Sequence, residues 1–171
     1  MQLNMLRKFL IKELKMNIKN NLSLKNIMEE YNFRPKKKLG QNFLHDKNII
    51  ITPHKGELER LGIQDKREDL MLFANDNNLT ILFKGEIDQI TDGTFFKKNK
   101  TGHPRMAVGG SGDVLAGVSG AFMAKGLTPF ESARLAAYSL GIAGEKCHKE
   151  IGAGFLPTDL ALSLSKVLLN D

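Results

Sequence analysis

The run Gly109-Gly110-Ser111-Gly112-Asp113, opening straight into Val114-Leu115-Ala116-Gly117, constrains the fold more than any other stretch of the chain. Glycines at this density let the backbone aim successive N–H groups at one point, with no Cβ in the way of a ligand. A helix behind them adds its unpaired N–H groups and the positive end of its dipole. The product is an anion hole of phosphate size. An acid there would repel the anion that the loop attracts. That conflict makes sense if Asp113 takes a proton from a hydroxyl that then attacks the phosphate. The same residues also fit an ordinary glycine-rich turn followed by a helix-start acid, and the spacing alone leaves both readings open.

Around this loop the pattern is that of alternating strands and helices. Ile49 to Thr52 reads as a short buried strand ended by Pro53, Glu57 to Leu61 as a helical turn or two, and Arg67 to Asn75 as a helix. Leu79 to Phe83 and Ile87 to Thr91 read as strands, and Asp92-Gly93 as a hairpin turn into Thr94 to Lys97. Asp113 to Lys125 forms a helix closed by Gly126. Thr128-Pro129-Phe130-Glu131 is a capping box with proline at the first helical position, and that helix runs to about Glu150. Phe130, Ala133, Ala137, Leu140 and Gly144 share its inner face. Pro157 and Thr158 start a last helix carrying Leu160, Leu164 and Leu168.

The first fifty residues differ. Leu3, Leu6, Leu10 and Leu14 recur at helical spacing among lysines, and Ser23 can cap a second helix with Leu24, Ile27, Met28 and Tyr31 on one face. Arg34-Pro35-Lys36-Lys37-Lys38 follows as an exposed basic knot. The 171 residues carry a net charge of +6, and this arm holds much of the excess. It suits contact with a polyanion or a solvated helix face, and charge alone does not choose. The single cysteine, Cys147, excludes an intramolecular disulfide and reads as a small core residue. No apolar run approaches the roughly 20 residues that cross a bilayer, and no signal peptide is evident at the start. The expectation is a cytoplasmic protein that does not meet a membrane.

From about Ile50 onward the chain resembles the NAD(P)H-hydrate dehydratases, a branch of the ribokinase-like superfamily. Thr52-Pro53-His54-Lys55-Gly56-Glu57 looks like their Thr-Pro-His-x-Gly-Glu segment. Leu82-Phe83-Lys84-Gly85 followed by Asp92-Gly93 resembles their strand, Lys-Gly loop and hairpin. Asn99-Lys100-Thr101-Gly102-His103-Pro104-Arg105-Met106 is similar to Asn-x-Thr-Gly-Asn-Pro-Gly-Met, departing at His103 and Arg105. If the family's glycine uses a positive φ, Arg105 is strained or the loop is reshaped.

The resemblance implies an α/β fold, an incomplete ribokinase-like three-layer α/β/α domain over residues 49–171, whose sheet is parallel, preceded by the basic helical arm of residues 1–48. It implies ADP- or ATP-dependent dehydration of NAD(P)H hydrate, with Mg²⁺ expected beside the nucleotide and its ligands unknown. Asp113 would be the catalytic base and would touch the substrate with His54. Lys84, Gly85, Glu86, Ile87 and Asp88, with Gly109, Gly110, Ser111 and Gly112, would form the nucleotide site. Read without the family, His54 is a residue of a strand-end turn and Lys84 a solvated lysine.

The family's long segment before Thr-Pro-His, with its Asp-Ala-Asp-Ala-like element, has no counterpart here. In its place, Tyr31 to Ile50, with Leu39-Gly40-Gln41-Asn42-Phe43-Leu44, looks like the amino-terminal start of the rRNA dimethyladenosine transferases. In that resemblance Asn42 and Leu44 would touch S-adenosylmethionine. The glycine loop which that family needs next is absent, because Ile51 passes straight into Thr52-Pro53-His54. The chain thus reads as a junction of two truncated families. The expectation is weak RNA binding by the arm, an impaired dehydratase, and a homo-oligomer. The rival reading is an RNA-binding module or a non-functional fragment.

Overall fold

The computed structural model describes residues 48–169, within a compact unit of residues 47–171. The readings made on the arm, its two helices, the basic knot and the methyltransferase-like segment lie outside the described residues.

Four short strands form one sheet in the order β1 (Ile50–Ile51), β2 (Thr80–Phe83), β3 (Asp88–Thr91), β4 (Phe96–Asn99). Strands β1 and β2 run parallel, whereas β2, β3 and β4 form an antiparallel meander. The parallel arrangement expected of the sheet is thus confined to one pair among the described strands. The parallel pair needs a crossover, supplied by α1 (Lys55–Arg60) and α2 (Arg67–Asn77). The remaining helices are α3 (Ser111–Ala124), α4 (Pro129–Ile151) and α5 (Pro157–Leu168), with one turn of 3-10 helix at Pro104–Met106 before α3.

The layers follow from the side-chain alternation of β2. Ile81 and Phe83 point to one face and pack with Leu58 of α1 and with Leu70 and Ala74 of α2. Leu82 points the other way, with Ile90 of β3, and meets Leu115 of α3, Ala133, Ala136, Ala137, Leu140 and Cys147 of α4, and Leu160 of α5. Both faces are covered, so all four residues of β2 are buried. The domain is an α/β/α sandwich, as expected. Alanines on the inner stripe of the 23-residue α4 pack against the sheet, while its Gly141 and Gly144 leave room for Thr101 and Met106 of the loop after β4. Leu160 and Leu164 are buried as the periodicity of α5 predicts, whereas Leu168 is 45 % exposed because the helix end has passed the core. Among the described residues no helix is long and apolar enough to cross a membrane.

Two local differences have clear causes. Strand β4 starts at Phe96 rather than Thr94, because Asp92 Oδ1 accepts the N–H groups of Thr94 (2.9 Å) and Phe95 (2.7 Å) and holds them in the turn. Arg105 is not strained. Asn78 is the one non-glycine with positive φ among the described residues, and Arg105 sits in the 3-10 turn with Nε donating to Ala153 O at 2.9 Å.

Candidate active site

One end of the sheet collects nearly every residue singled out from the sequence. The carboxyl ends of β1 and β2 lie together, tied by Lys84 N–H donating to Pro53 O at 2.9 Å. Because β3 runs antiparallel to that pair and β4 turns back alongside it, Asp88 at the start of β3 and Asn99 at the end of β4 fall at the same end, opposite each other in register. Open α/β sheets present their ligand crevices at the carboxyl ends of parallel strands.

The glycine loop arrives at this end through the segment after β4. Gly110 is the N-cap of α3 with φ +98°, a conformation that a side chain would resist, and its O accepts the N–H groups of Asp113 and Val114, both at 3.1 Å. A Cβ on Gly112 would lie 3.3 Å from Lys84 Nζ, so the missing side chain leaves the space between the helix start and a lysine head. The Ser111 hydroxyl is buried and has no hydrogen-bond partner among the described residues. A helix amino terminus with an ammonium group facing its glycine fits a phosphate group. Asp113 is exposed in the first turn of α3.

His54 caps α1. Its Nδ1 accepts Glu57 N–H at 3.1 Å, while Glu57 Oε2 accepts His54 N–H at 2.9 Å. With Nδ1 accepting, the ring proton is on Nε2, which stands 3.7 Å from Glu57 Oε1. Glu57 Oε2 also lies 3.9 Å from Lys84 Nζ, so this one carboxylate links the turns after β1 and β2. The backbone N–H of His54 holds the Glu57 carboxyl below its ordinary range, against the upward pull of burial and with smaller help from the Lys84 and Arg60 charges. Sequence reasoning missed Glu57, although its position three residues after a capping residue was a legible signal.

Residues 84–88 make a tight loop whose backbone and side chains play different parts. Glu86 and Ile87 are exposed, and Gly85 N–H donates to Asp88 Oδ1 at 3.2 Å. The other Asp88 oxygen accepts from Asn99 Nδ2 at 3.0 Å. Burial pushes the Asp88 carboxyl up, against the lowering pull of Asn99, Gly85 and Lys84. Asp88 therefore spends its carboxylate inside the protein. Asn99, read from the sequence as part of a family segment but given no site role, is the centre of this network.

The loop carrying the two departures is firmly held. The His103 ring stacks on His148 of α4 with centroids 3.7 Å apart, and Gly102 N–H donates to Glu145 Oε1 at 2.8 Å. Cys147 is buried in the core, and burial pushes its thiol up, which suits a packing residue rather than a nucleophile. The described residues contain no group of three His, Cys, Asp or Glu placed to hold a metal. A cavity of about 740 Å³, lined in part by Asn48, Leu79, Phe95 and Phe130, lies at the opposite end of the sheet. It has no share in this chemistry.

The family model for NAD(P)H-hydrate dehydratase matches residues 32–166. The ADP-dependent (S)-NAD(P)H-hydrate dehydratase of Cenarchaeum symbiosum is 38 % identical over 129 residues, which cover 71 % of this chain and 45 % of that protein. The enzyme of the same name from Nitrosopumilus maritimus is 37 % identical, with 73 % and 46 % covered. Among solved structures, the ADP/ATP-dependent NAD(P)H-hydrate dehydratase of Bacillus subtilis, co-crystallised with ATP and Mg²⁺, superposes with a TM-score of 0.65 at 28 % identity. The match covers 71 % of this chain and 47 % of that one. A ribokinase-like superfamily protein from Enterococcus faecalis gives 0.67 at 25 % identity over 78 % of this chain and 48 % of its own. The chain spans about half the length of these relatives.

Proposed function

The chain belongs to the NAD(P)H-hydrate dehydratase family, with a ribokinase-like α/β/α fold, and from that membership we propose that it carries the adenine-nucleotide side of an ADP- or ATP-dependent dehydration of NAD(P)H hydrate. The observation that carries the reading is the space between Gly112 and Lys84 Nζ, at the start of α3. There the glycine loop of residues 109–112 holds phosphate oxygens at the helix start, while Lys84 meets their charge. Gly85, Glu86 and Ile87 border the nucleotide from the neighbouring loop, and Asp88 shapes that loop.

Asp113 is the base. It accepts the proton of the hydrate's ring hydroxyl as that oxygen attacks the terminal phosphorus of the nucleotide, whose bridging bond breaks. The phosphorylated oxygen then departs as phosphate with its bonding electrons. A ring proton is lost and the double bond of NADH or NADPH returns. Phosphate leaves far more readily than hydroxide, which is what the nucleotide contributes. His54, with Nε2–H, is placed to touch the hydrated nicotinamide. Mg²⁺ with the nucleotide would neutralise phosphate charge, and phosphate oxygens would supply most of its ligands. The arm of residues 1–48 is assigned a weak RNA contact, and the cytoplasm is the proposed compartment.

The test is recovery of NADH absorbance from purified hydrate, with ADP, ATP or neither. ADP- or ATP-dependent recovery above the nucleotide-free rate supports the reading. Thermal protection by neither nucleotide, with no recovery at any protein concentration, overturns it.

A further inference from the structure

Two separate loops make the walls of the phosphate space: residues 84–88, and the segment from Thr101 to the glycine turn. We propose that the Asp88–Asn99 pair is the positioning device that couples these walls, so that Asp88 acts on nucleotide through the two loops and not as a ligand. The inference deepens the nucleotide reading and rests on it for its functional part.

The Asp88 carboxylate uses one oxygen on each wall, Oδ1 on Gly85 N–H at 3.2 Å and Oδ2 on Asn99 Nδ2 at 3.0 Å. Asn99 is 8 % exposed and passes the constraint on. Its Nδ2 also donates to Ala137 O of α4 at 3.2 Å, and its Oδ1 accepts Thr101 Oγ1–H at 2.9 Å and Thr101 N–H at 3.4 Å. Thr101 Oγ1 lies 3.2 Å from Tyr138 O, and Gly102 N–H bonds Glu145. A continuous polar path thus runs from the Lys84–Gly85 turn, across the sheet end, onto α4 and into the loop that feeds Gly109. The pairing is directional. A carboxylate at 88 can accept on both sides, whereas an amide that still accepts from Gly85 would present its N–H to the Asn99 donor. A half-buried carboxylate is retained at a desolvation cost, which fits a structural task with two donors.

The experiment compares wild type, Asp88→Asn, Asn99→Asp and the swapped double variant. Amide hydrogen exchange is read in the nucleotide-free protein and ADP and ATP affinity by calorimetry. In Asp88→Asn, exchange at Gly85 and also at Thr101 and Gly102 is expected to rise roughly tenfold or more, the worth of one charge-assisted hydrogen bond. Nucleotide affinity is expected to fall by a similar factor, and the swap, which restores a donor–carboxylate pair, to regain part of both. Should Asp88→Asn fail to fold, Asn99→Asp sets two carboxylates face to face, and adding Asp88→Asn to it should lower the exchange again. Faster exchange confined to Gly85, or a double variant no better than the worse single, overturns the coupling. Wild type that binds no adenine nucleotide overturns the functional reading instead, and the exchange data then decide the coupling by themselves.

Discussion

Asp113 carries a charge that opposes its neighbours' task. It is exposed at the start of α3, where the helix dipole and the nearby Lys84 favour an anion, so its own charge competes with a bound phosphate. Asp113→Asn keeps the shape and removes that competition. ADP and ATP affinity should be unchanged or higher, while ADP-dependent recovery of NADH from hydrate should drop roughly 10²- to 10⁴-fold, the usual worth of a general base. Calorimetry together with absorbance separates the two effects, and unchanged recovery would remove Asp113 from the mechanism. Most of the site residues were legible because each stands in a short motif. What the sequence did not disclose is which atoms face the ligand. Asp88 was read as lining the nucleotide, yet its oxygens are engaged by Gly85 and Asn99. Asn99 was given no role because its partners Asp88 and Ala137 are brought by other elements, which no local spacing records, whereas the capping role of Glu57 was legible and its link to Lys84 was not.

At the scale of elements, α4 was the easiest to read and offers the cleanest stability test. Its capping box forms as the sequence predicts, with Glu131 N–H donating to Thr128 Oγ1 at 3.3 Å and Thr128 Oγ1 donating to Glu131 Oε2 at 2.7 Å. The Thr128 hydroxyl, and then the Thr128 N–H at 3.0 Å from Glu131 Oε2, hold the Glu131 carboxyl below its ordinary range. A lowered carboxyl stabilises the fold above the ordinary carboxylate range and loses that contribution as pH falls through the depressed value. Thr128→Ala should therefore cost about 1 kcal/mol at neutral pH. The gap from wild type should narrow near pH 3, because protonated Glu131 has already lost part of what the variant removes. Urea unfolding at the two pH values reads it, and a gap that widens in acid would contradict the assignment. Element ends were read less well, and β4 shows why. The side chain of Asp92 holds Thr94 and Phe95 in the turn, a local bond that outranks their strand preference.

At the scale of the whole molecule, the chain spans about half the length of its relatives, and β1 pairs with β2 alone among the described strands. An apolar two-residue strand at a sheet edge invites a further strand. The purified chain is expected to elute from a sizing column as an oligomer, with ADP-dependent recovery far below ~1 s⁻¹. A monomer working at that rate would refute this. The basic arm makes a separate prediction. Any RNA retained on a filter at low salt should be lost steeply as salt rises, as lysine–phosphate contacts require, and S-adenosylmethionine should transfer no methyl group to it. Retention that salt does not change, or methyl transfer, would contradict the assignment.

The most direct test of the central claim is titration of ADP and ATP into wild type and Gly112→Val. Valine at this position fills the space before Lys84 Nζ, which an added Cβ already approaches to 3.3 Å. Wild type should bind one adenine nucleotide per chain saturably. The variant, with its thermal unfolding transition retained, should lose that binding by at least roughly two orders of magnitude. Equal affinity in the two proteins would contradict the account, because nucleotide would then be held somewhere other than the glycine loop of α3.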